Sequence, residues 1–309
     1  MEIEQELAGV TPGGETLLTI GVFDGVHAGH RYLLKELQEK AAERNLLSGV
    51  VTFSPHPQSV LHPYNQLSWL TSLEDRVGTF QRLGISVVAV LSFTRKVAQL
   101  SAHGFISLVK KYLSMRGILV GSDFALGKGK EGNINLLRAL GREIGFTVDV
   151  IPPFKINGEV VSSTLIRRAL AEGDIRKVTK LMGRYFYLEG KVTTCEKRGR
   201  ILGFPTANLD MKPQQALPGS GIYATIAHVQ GKHLHSATNI GTRPTFGAGG
   251  EMVETHLLNY KGNLYGKDIR VEFVQKIRDE ERFPSSEELK AQIEKDIREI
   301  EAILARDLE

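Results

Sequence analysis

Two histidines three residues apart, His27 and His30, carry the most specific chemistry in this chain of 309 residues. They stand in GVFDGVHAGH, residues 21–30, with Gly25 and Gly29 around them. A strand-like run, Leu17–Phe23, enters the segment, and Leu33, Leu34, Leu37 and Ala41 recur at helical spacing after it. Glycines let backbone approach a ligand closely. A helix N-terminus offers unpaired N–H groups and the positive end of a dipole, which suits phosphate. Residues three apart lie on one side of a helical turn, so both imidazoles can face the same anion. A zinc pair is the competing reading, but zinc wants third and fourth ligands of matching type. The chain offers one cysteine, Cys195, towards such a set.

The elements that must position these groups change character along the chain. Up to about residue 151, the short apolar runs 50–53, 86–91, 117–121 and 147–151 alternate with helical patterns at 30–43, 73–83, 103–113 and 133–144. That alternation predicts a parallel sheet with helices on both faces. Its sites fall beyond the carboxyl ends of strands, where the histidine segment lies. Short helices are expected at 164–171 and 174–181. After Gly183 the rhythm turns to strands at 185–192, 200–209, 221–229, 252–259 and 269–274, with glycine-rich turns between them. This reads as an antiparallel β-barrel closed by a helix over 286–305, with Ser285 and Glu288 as a capping box. The boundary is placed at 183/184, giving domains 1–183 and 184–309.

Composition narrows the class. Hydrophobic residues make up 41% and charged residues 24%, as in ordinary globular proteins. No run of 18 apolar residues occurs, and the acidic start MEIEQELAGV lacks the apolar stretch of a secretory signal. A single cysteine, Cys195, fits a reducing compartment, so a cytoplasmic location and no membrane association are expected. Residues 1–183 carry 21 Lys and Arg against 17 Asp and Glu; residues 184–309 carry 18 of each. The excess on the first part is spread out, which favours small anionic ligands over nucleic acid.

Three more segments of the first part could hold phosphates. TFSPHP, residues 52–57, ends a strand beside His56. GSDFALGKGKEGN, residues 121–133, ends another in a loop with four glycines and two lysines. VSSTLIRRAL, residues 161–170, sets Ser162, Ser163 and Thr164 at a helix start with Arg167 a turn later. Hydroxyls, free N–H groups and a guanidinium there make a phosphate cradle. Alone, each also reads as a capped helix or a turn. In the second part, GRILGFPTANLD, residues 199–210, points Thr206 and Asn208 the same way if extended. Their oxygens are hard ligands suited to Mg²⁺, and a Pro-Thr turn with a capping Asn is the alternative.

His27–His30 resembles the His-x-Gly-His signature of nucleotidyltransferases. With TFSPHP, the glycine loop and SSTLIR, residues 1–183 resemble the FMN adenylyltransferase module of bacterial bifunctional riboflavin kinase/FMN adenylyltransferases. PTAN (205–208), GIYAT (221–225), NIGTRPTFG (239–247), ETHLLNYKGNLYGK (254–267) and IRDEERFPSSEEL (277–289) resemble the riboflavin kinase module in the same order. Val22, Ala125, Leu126 and Asn259 depart from the usual pattern. The resemblance implies a Rossmann-like nucleotidyltransferase domain followed by a kinase barrel. ATP, riboflavin and FMN would be its substrates, with Mg²⁺ as cofactor. It implies that His27, His30 and Arg167 act in adenylyl transfer. Gly21, Phe23, Asp24, Gly25, Gly29, Ser163 and Thr164 would line the nucleotide. In the barrel it implies that Gly199, Thr206 and Asn208 hold ATP, the last two through the metal. Glu254 would be the general base, and Asp123, Arg278 and Phe283 would contact flavin. Two other classes share parts of these motifs. A class I aminoacyl-tRNA synthetase would need a Lys-Met-Ser-Lys-Ser-type loop, which is absent from the sequence. A non-catalytic flavin or nucleotide sensor would not need His27, His30, Arg167, Thr206, Asn208 and Glu254 together.

Overall fold

The structure is a computed structural model that describes residues 2–64, 67–193, 203–242 and 251–306. It forms two compact units, residues 1–163 and 164–309.

The first unit is a five-stranded parallel sheet: β1 (Thr16–Ile20), β2 (Leu47–Ser54), β3 (Val87–Ser92), β4 (Met115–Gly121) and β5 (Thr147–Ile151), in the order β3-β2-β1-β4-β5. β1 reads TLLTI and is buried at every residue, as a central strand covered on both faces must be. One face packs against α2 (Ala28–Glu43), through Leu34, Leu37 and Ala41, and against Phe80 of α4 (Leu73–Arg82). The other face packs against α6 (Ala102–Tyr112) and α7 (Ile134–Ile144), through Phe105, Ile106, Val109, Leu137 and Leu140. Asn133 caps α7, accepting from the Asn135 and Leu136 N–H groups, and Gly145 ends it with φ 76°. An unanticipated helix, α1 (Glu2–Ala8), buries Ile3 and Leu7 in the second of these cores. Its Glu6 accepts the N–H of Ser92 at 2.9 Å.

The strand order reverses between β1 and β4, so a crevice opens beyond their carboxyl ends. The segment 21–27 leaves β1 there, and the glycine loop 121–133 leaves β4 there.

The second unit opens with α8 (Ser163–Ala171) and α9 (Ile175–Met182). A closed antiparallel barrel follows: β8 (Phe186–Thr193), β9 (Ala207–Met211), β10 (Gly221–Val229), β11 (Lys232–Thr242), β12 (Glu251–Leu257) and β13 (Asp268–Arg278), in the order β10-β11-β12-β9-β8-β13. Strand β11 was not anticipated; its sequence KHLHSATNIGT lacks an apolar alternation. Inside the barrel, Phe186, Tyr223, Val253, Val271 and Phe273 are buried beside a chain of hydroxyls. Thr225 bonds Ser236 and Thr238 at 2.8 Å each, and Thr238 bonds Thr255 at 3.0 Å. The last helix, α10 (Ser286–Arg306), lies over the outer face and buries Ile300 and Leu304 against Ala224, Leu258 and Val274. Ser285 caps it, accepting the N–H of Glu288 at 3.2 Å. Helix α9 packs on β8 and β13 and buries Ile175, Val178, Leu181 and Met182.

This packing predicts that a fragment of residues 164–309 is more stable than one of residues 184–309. Removing four buried apolar side chains should cost about 3 kcal/mol or more. Urea melts of the two fragments give the difference, and equal midpoints would show that α9 contributes nothing to the barrel.

Candidate active sites

The segment between β1 and α2 is held in an unusual conformation. Phe23, Gly25 and Val26 have φ of 56°, 86° and 37°. Positive φ in Phe and Val is strained and survives only where neighbours over-determine it. Asp24 supplies much of that constraint. It is 3% exposed, and its carboxylate accepts the N–H groups of Leu70 and Thr71 at 3.0–3.1 Å. Thr71 Oγ1 accepts the N–H of Gly25 at 2.9 Å. The Val22 carbonyl accepts from Thr52 Oγ1 at 3.1 Å and from the Arg76 guanidinium. Ser163 donates to the Asp24 carbonyl at 2.9 Å. Asp24 and Ser163, both expected to line the nucleotide, therefore shape the loop through their own polar groups.

His27 is the N-cap of α2, and its Nδ1 accepts the His30 N–H at 3.2 Å. With Nδ1 accepting, the proton of a neutral ring would sit on Nε2. The two imidazoles stack with centroids 3.6 Å apart, and Phe23 meets His30 edge-on at 5.1 Å. A Cβ on Gly29 would stand 3.3 Å from the His27 ring and from the Val161 carbonyl, so a side chain there would push ring or backbone away by a few tenths of an ångström. His30 Nδ1 is sealed and has no partner among the described residues. Burial, then the charges of His27 and Arg76, hold His30 well below the ordinary imidazole range. The pair is thus stacked and engaged with backbone, and no group of three or more His, Cys, Asp or Glu side chains among the described residues could hold a metal ion.

Thr164 and Arg167 follow on α8, the first exposed and the second half-buried. His56 caps the short α3 (Pro57–Leu61) by accepting the Gln58 N–H at 3.1 Å. Asp123 is exposed just after β4. The rest of the glycine loop is fastened to α6, where Glu131 accepts the Ala102 N–H at 2.8 Å.

In the barrel, register assembles the second constellation. Asn208 on β9 pairs with Glu254 on β12, and Glu254 pairs with Asn239 on β11. Asn239 pairs in turn with Ile222 on β10, and Ile222 with Arg278 on β13. The five residues form one row across the outer face. Asn208 is 5% exposed, and its Oδ1 has no hydrogen-bond partner among the described residues. A buried carbonyl oxygen left open beside a carboxylate suits a hard cation, so Thr206 and Asn208 fit Mg²⁺. His256, two residues beyond Glu254, bonds the Pro205 carbonyl through Nδ1 at 2.8 Å and meets Phe204 edge-on. This holds the segment that carries Thr206. Gly199 lies outside the described residues.

At the far end of the row, Arg278 forks onto Asp296 of α10 with contacts of 2.8–3.1 Å; Asp296 is 4% exposed and also accepts from Gln292. The Arg278 guanidinium lies 5.6 Å from the Phe283 ring centre. The two expected flavin contacts are therefore neighbours, and Arg278 also pins α10 to the barrel. Asn259, where the family pattern usually has Asp, is exposed with φ 58°. Asn and Asp both tolerate that left-handed turn, which explains the exchange.

Residues 12–165 match the family model for FAD synthetase, and residues 182–304 match the one for riboflavin kinase. The chain belongs to the bifunctional riboflavin kinase/FMN adenylyltransferases. The relative of that name from Escherichia coli (strain K12) is 40% identical over 282 residues, covering 91% of this chain and 90% of the other. Those from Haemophilus influenzae and Listeria monocytogenes are 36% and 33% identical over 91% and 94% of this chain, and over 91% and 93% of their own. A crystal structure from Streptococcus pneumoniae, named a macrolide-efflux protein, is similar with a TM-score of 0.88 and 26% identity over 96% of each chain. No helix among the described residues of this family member is long and apolar enough to cross a membrane.

Three residues of the two constellations, Arg76, Asn239 and His256, have no role in the motif reading. Arg76 left one signal. It shares a helix face with Thr79 and Phe80, which are also buried, and a charge on the buried face of a helix calls for a reason. Its Nε has no partner among the described residues, and burial lowers its affinity for a proton.

The depressed proton affinity of His30 makes stability pH-dependent. Below about pH 6.5 the unfolded chain binds a proton there that the folded site refuses. Stability from this residue is therefore full above that pH and falls as pH drops. Relative to wild type, His30→Gln should gain as pH falls from about 7 to about 5, by at most about 1.4 kcal/mol per pH unit. Denaturant melts across that range read the difference, and a constant gap would contradict a neutral, buried His30.

Proposed function

We infer that residues 184–309 phosphorylate riboflavin to FMN and that residues 1–183 adenylylate FMN to FAD, each with ATP. The enzyme is a riboflavin kinase and FMN adenylyltransferase in one chain. The observation that most supports the assignment of residues is the pairing of Asn208 with Glu254 on adjacent strands. It sets an open oxygen ligand beside a carboxylate, as phosphoryl transfer to a hydroxyl requires.

In the kinase, Glu254 accepts the proton of the riboflavin 5′-hydroxyl as that oxygen attacks the γ-phosphorus of ATP. ADP leaves. Thr206, Asn208 and the Gly199 segment bind the nucleotide. Mg²⁺, held by Thr206 and Asn208, neutralises phosphate charge when bound. Phe283 and Arg278 face the isoalloxazine ring.

In the adenylyltransferase, an FMN phosphate oxygen attacks the α-phosphorus of ATP and pyrophosphate leaves. Both reactants are anions, so charge and positioning dominate the barrier. His27 donates through Nε2, and the N-terminus of α2 turns the positive end of its dipole to anions. His30 donates as a neutral imidazole. Thr164 and Arg167 hold the departing phosphates, with Ser163 fixing the loop, and Asp123 approaches the flavin. The partners are the small molecules ATP, riboflavin and FMN, and the single cysteine suits a reducing, cytoplasmic setting.

Paired assays of both half-reactions test the division. Glu254→Gln should lower riboflavin phosphorylation by about 10² to 10⁴ and leave adenylylation of supplied FMN intact. His30→Ala should do the reverse, with FAD formation down by about 10² to 10³. Unchanged kinase turnover would reduce Glu254 to a strand glutamate, and equal losses of both activities would indicate misfolding.

A further inference from the structure

The Asn239 side chain has no role in the reactions as derived above, yet it lies beside Glu254 in register. Its Oδ1 is buried and has no hydrogen-bond partner among the described residues. Glu254 is therefore flanked by two unpaired carbonyl oxygens, Asn208 on one side and Asn239 on the other. Each of these buried acceptors calls for a donor or a cation. Asn208 stands on the side of Thr206, where the metal and phosphates belong. Asn239 stands on the opposite side, between Glu254 and the Ile222–Arg278 pair. Along its own strand it is flanked on the same face by Ala237 and Gly241, and the Glu280 carboxylate packs over Gly241.

Riboflavin supplies the matching chemistry. Its ring would sit at Arg278 and Phe283 and its reacting 5′-hydroxyl at Glu254. From Glu254 to Arg278 the row takes three interstrand steps of about 4.8 Å each. The ribityl chain and the adjoining part of the ring must together cover that interval, and the chain carries hydroxyl donors on successive carbons.

We propose that Asn239 binds the flavin substrate, its Oδ1 accepting a hydrogen bond from the ribityl hydroxyl next to the reacting one. This inference rests on the kinase reading above. The bond fixes the last carbon–carbon torsion of the ribityl chain and so aims the 5′-hydroxyl between Glu254 and the γ-phosphorus. A site built to bond a hydroxyl rejects an analogue that lacks it, because its own polar group is then left unpaired.

The test compares riboflavin with 4′-deoxyriboflavin, which keeps the reacting hydroxyl. The wild-type enzyme should prefer riboflavin in kcat/KM by about 5- to 100-fold. Asn239→Ala should handle the two flavins alike, with the KM for ATP unchanged. Asn239→Thr should behave the same way, because threonine forms strands well and its oxygen cannot reach as far; it serves if the alanine variant does not fold. Discrimination retained by the folded variants overturns the inference and leaves the kinase reading standing. A raised KM for ATP with discrimination intact also overturns it, by moving Asn239 to the phosphate side. Wild-type enzyme that makes no FMN from riboflavin would defeat the kinase reading itself, and the inference with it.

Discussion

A buried polar atom without a hydrogen-bond partner costs about 1–3 kcal/mol, so a fold keeps few of them. Among the described residues, four such side-chain atoms lie in the two candidate sites: His30 Nδ1, Arg76 Nε, Asn208 Oδ1 and Asn239 Oδ1. Their signs differ as the chemistry does. The first site buries nitrogen atoms beside a helix N-terminus, where anions must collect. The second buries oxygens beside a carboxylate, where a metal ion and hydroxyl donors must collect. Satisfying these atoms internally would gain stability and close the site. The rest of each unit is arranged so that they stay unpaired and in place.

In the first unit that arrangement is a convergence of bonds on a strained loop. Positive φ at Phe23 and Val26 persists because Thr52, the stretch from Leu70 to Arg76, and Ser163 hold the loop from three segments, in part through the loop's own Asp24. Those segments come together at the carboxyl end of β1. The loop's shape therefore depends on the doubly wound sheet, and the stacked histidines depend on the loop.

Much of this was legible in the sequence, and the omissions have physical causes. Strand–helix alternation gave the parallel sheet because buried strands and amphipathic helices carry strong apolar patterns. Strand β11 was missed because its inward residues, Ser236 and Thr238, are hydroxyls that bond one another across the barrel. No period-2 apolar signal can mark such a strand. Helix α1 has two buried residues in seven, too few to show a period. His27, His30, Thr206, Asn208 and Glu254 stood out through their motifs. Arg76, Asn239 and His256 did not, since each matters through a neighbour on another element. Asp24 was legible as a site residue but not in its manner, because only the folded chain shows its carboxylate bound to the Leu70 and Thr71 N–H groups.

The polar barrel interior and the outer row of chemistry are one device. Thr238 and Thr255 face inward and bond at 3.0 Å. The residues that follow and precede them, Asn239 and Glu254, face outward and are paired in the same register. A slip of one residue between β11 and β12 would break the inner hydroxyl bond. It would also turn the carboxylate into the core, since successive strand residues point to opposite faces. An all-apolar interior tolerates a two-residue slip, which keeps the faces, more readily, because apolar contacts carry no direction. Hydroxyl bonds do carry direction. Thr255 pairs with Ala207 one step from Glu254 and Asn208, so the register continues onto the strand that presents the metal ligands. The interior gives up some apolar burial, and in return the outward row that brings Asn208, Glu254 and Asn239 together is fixed from inside the barrel.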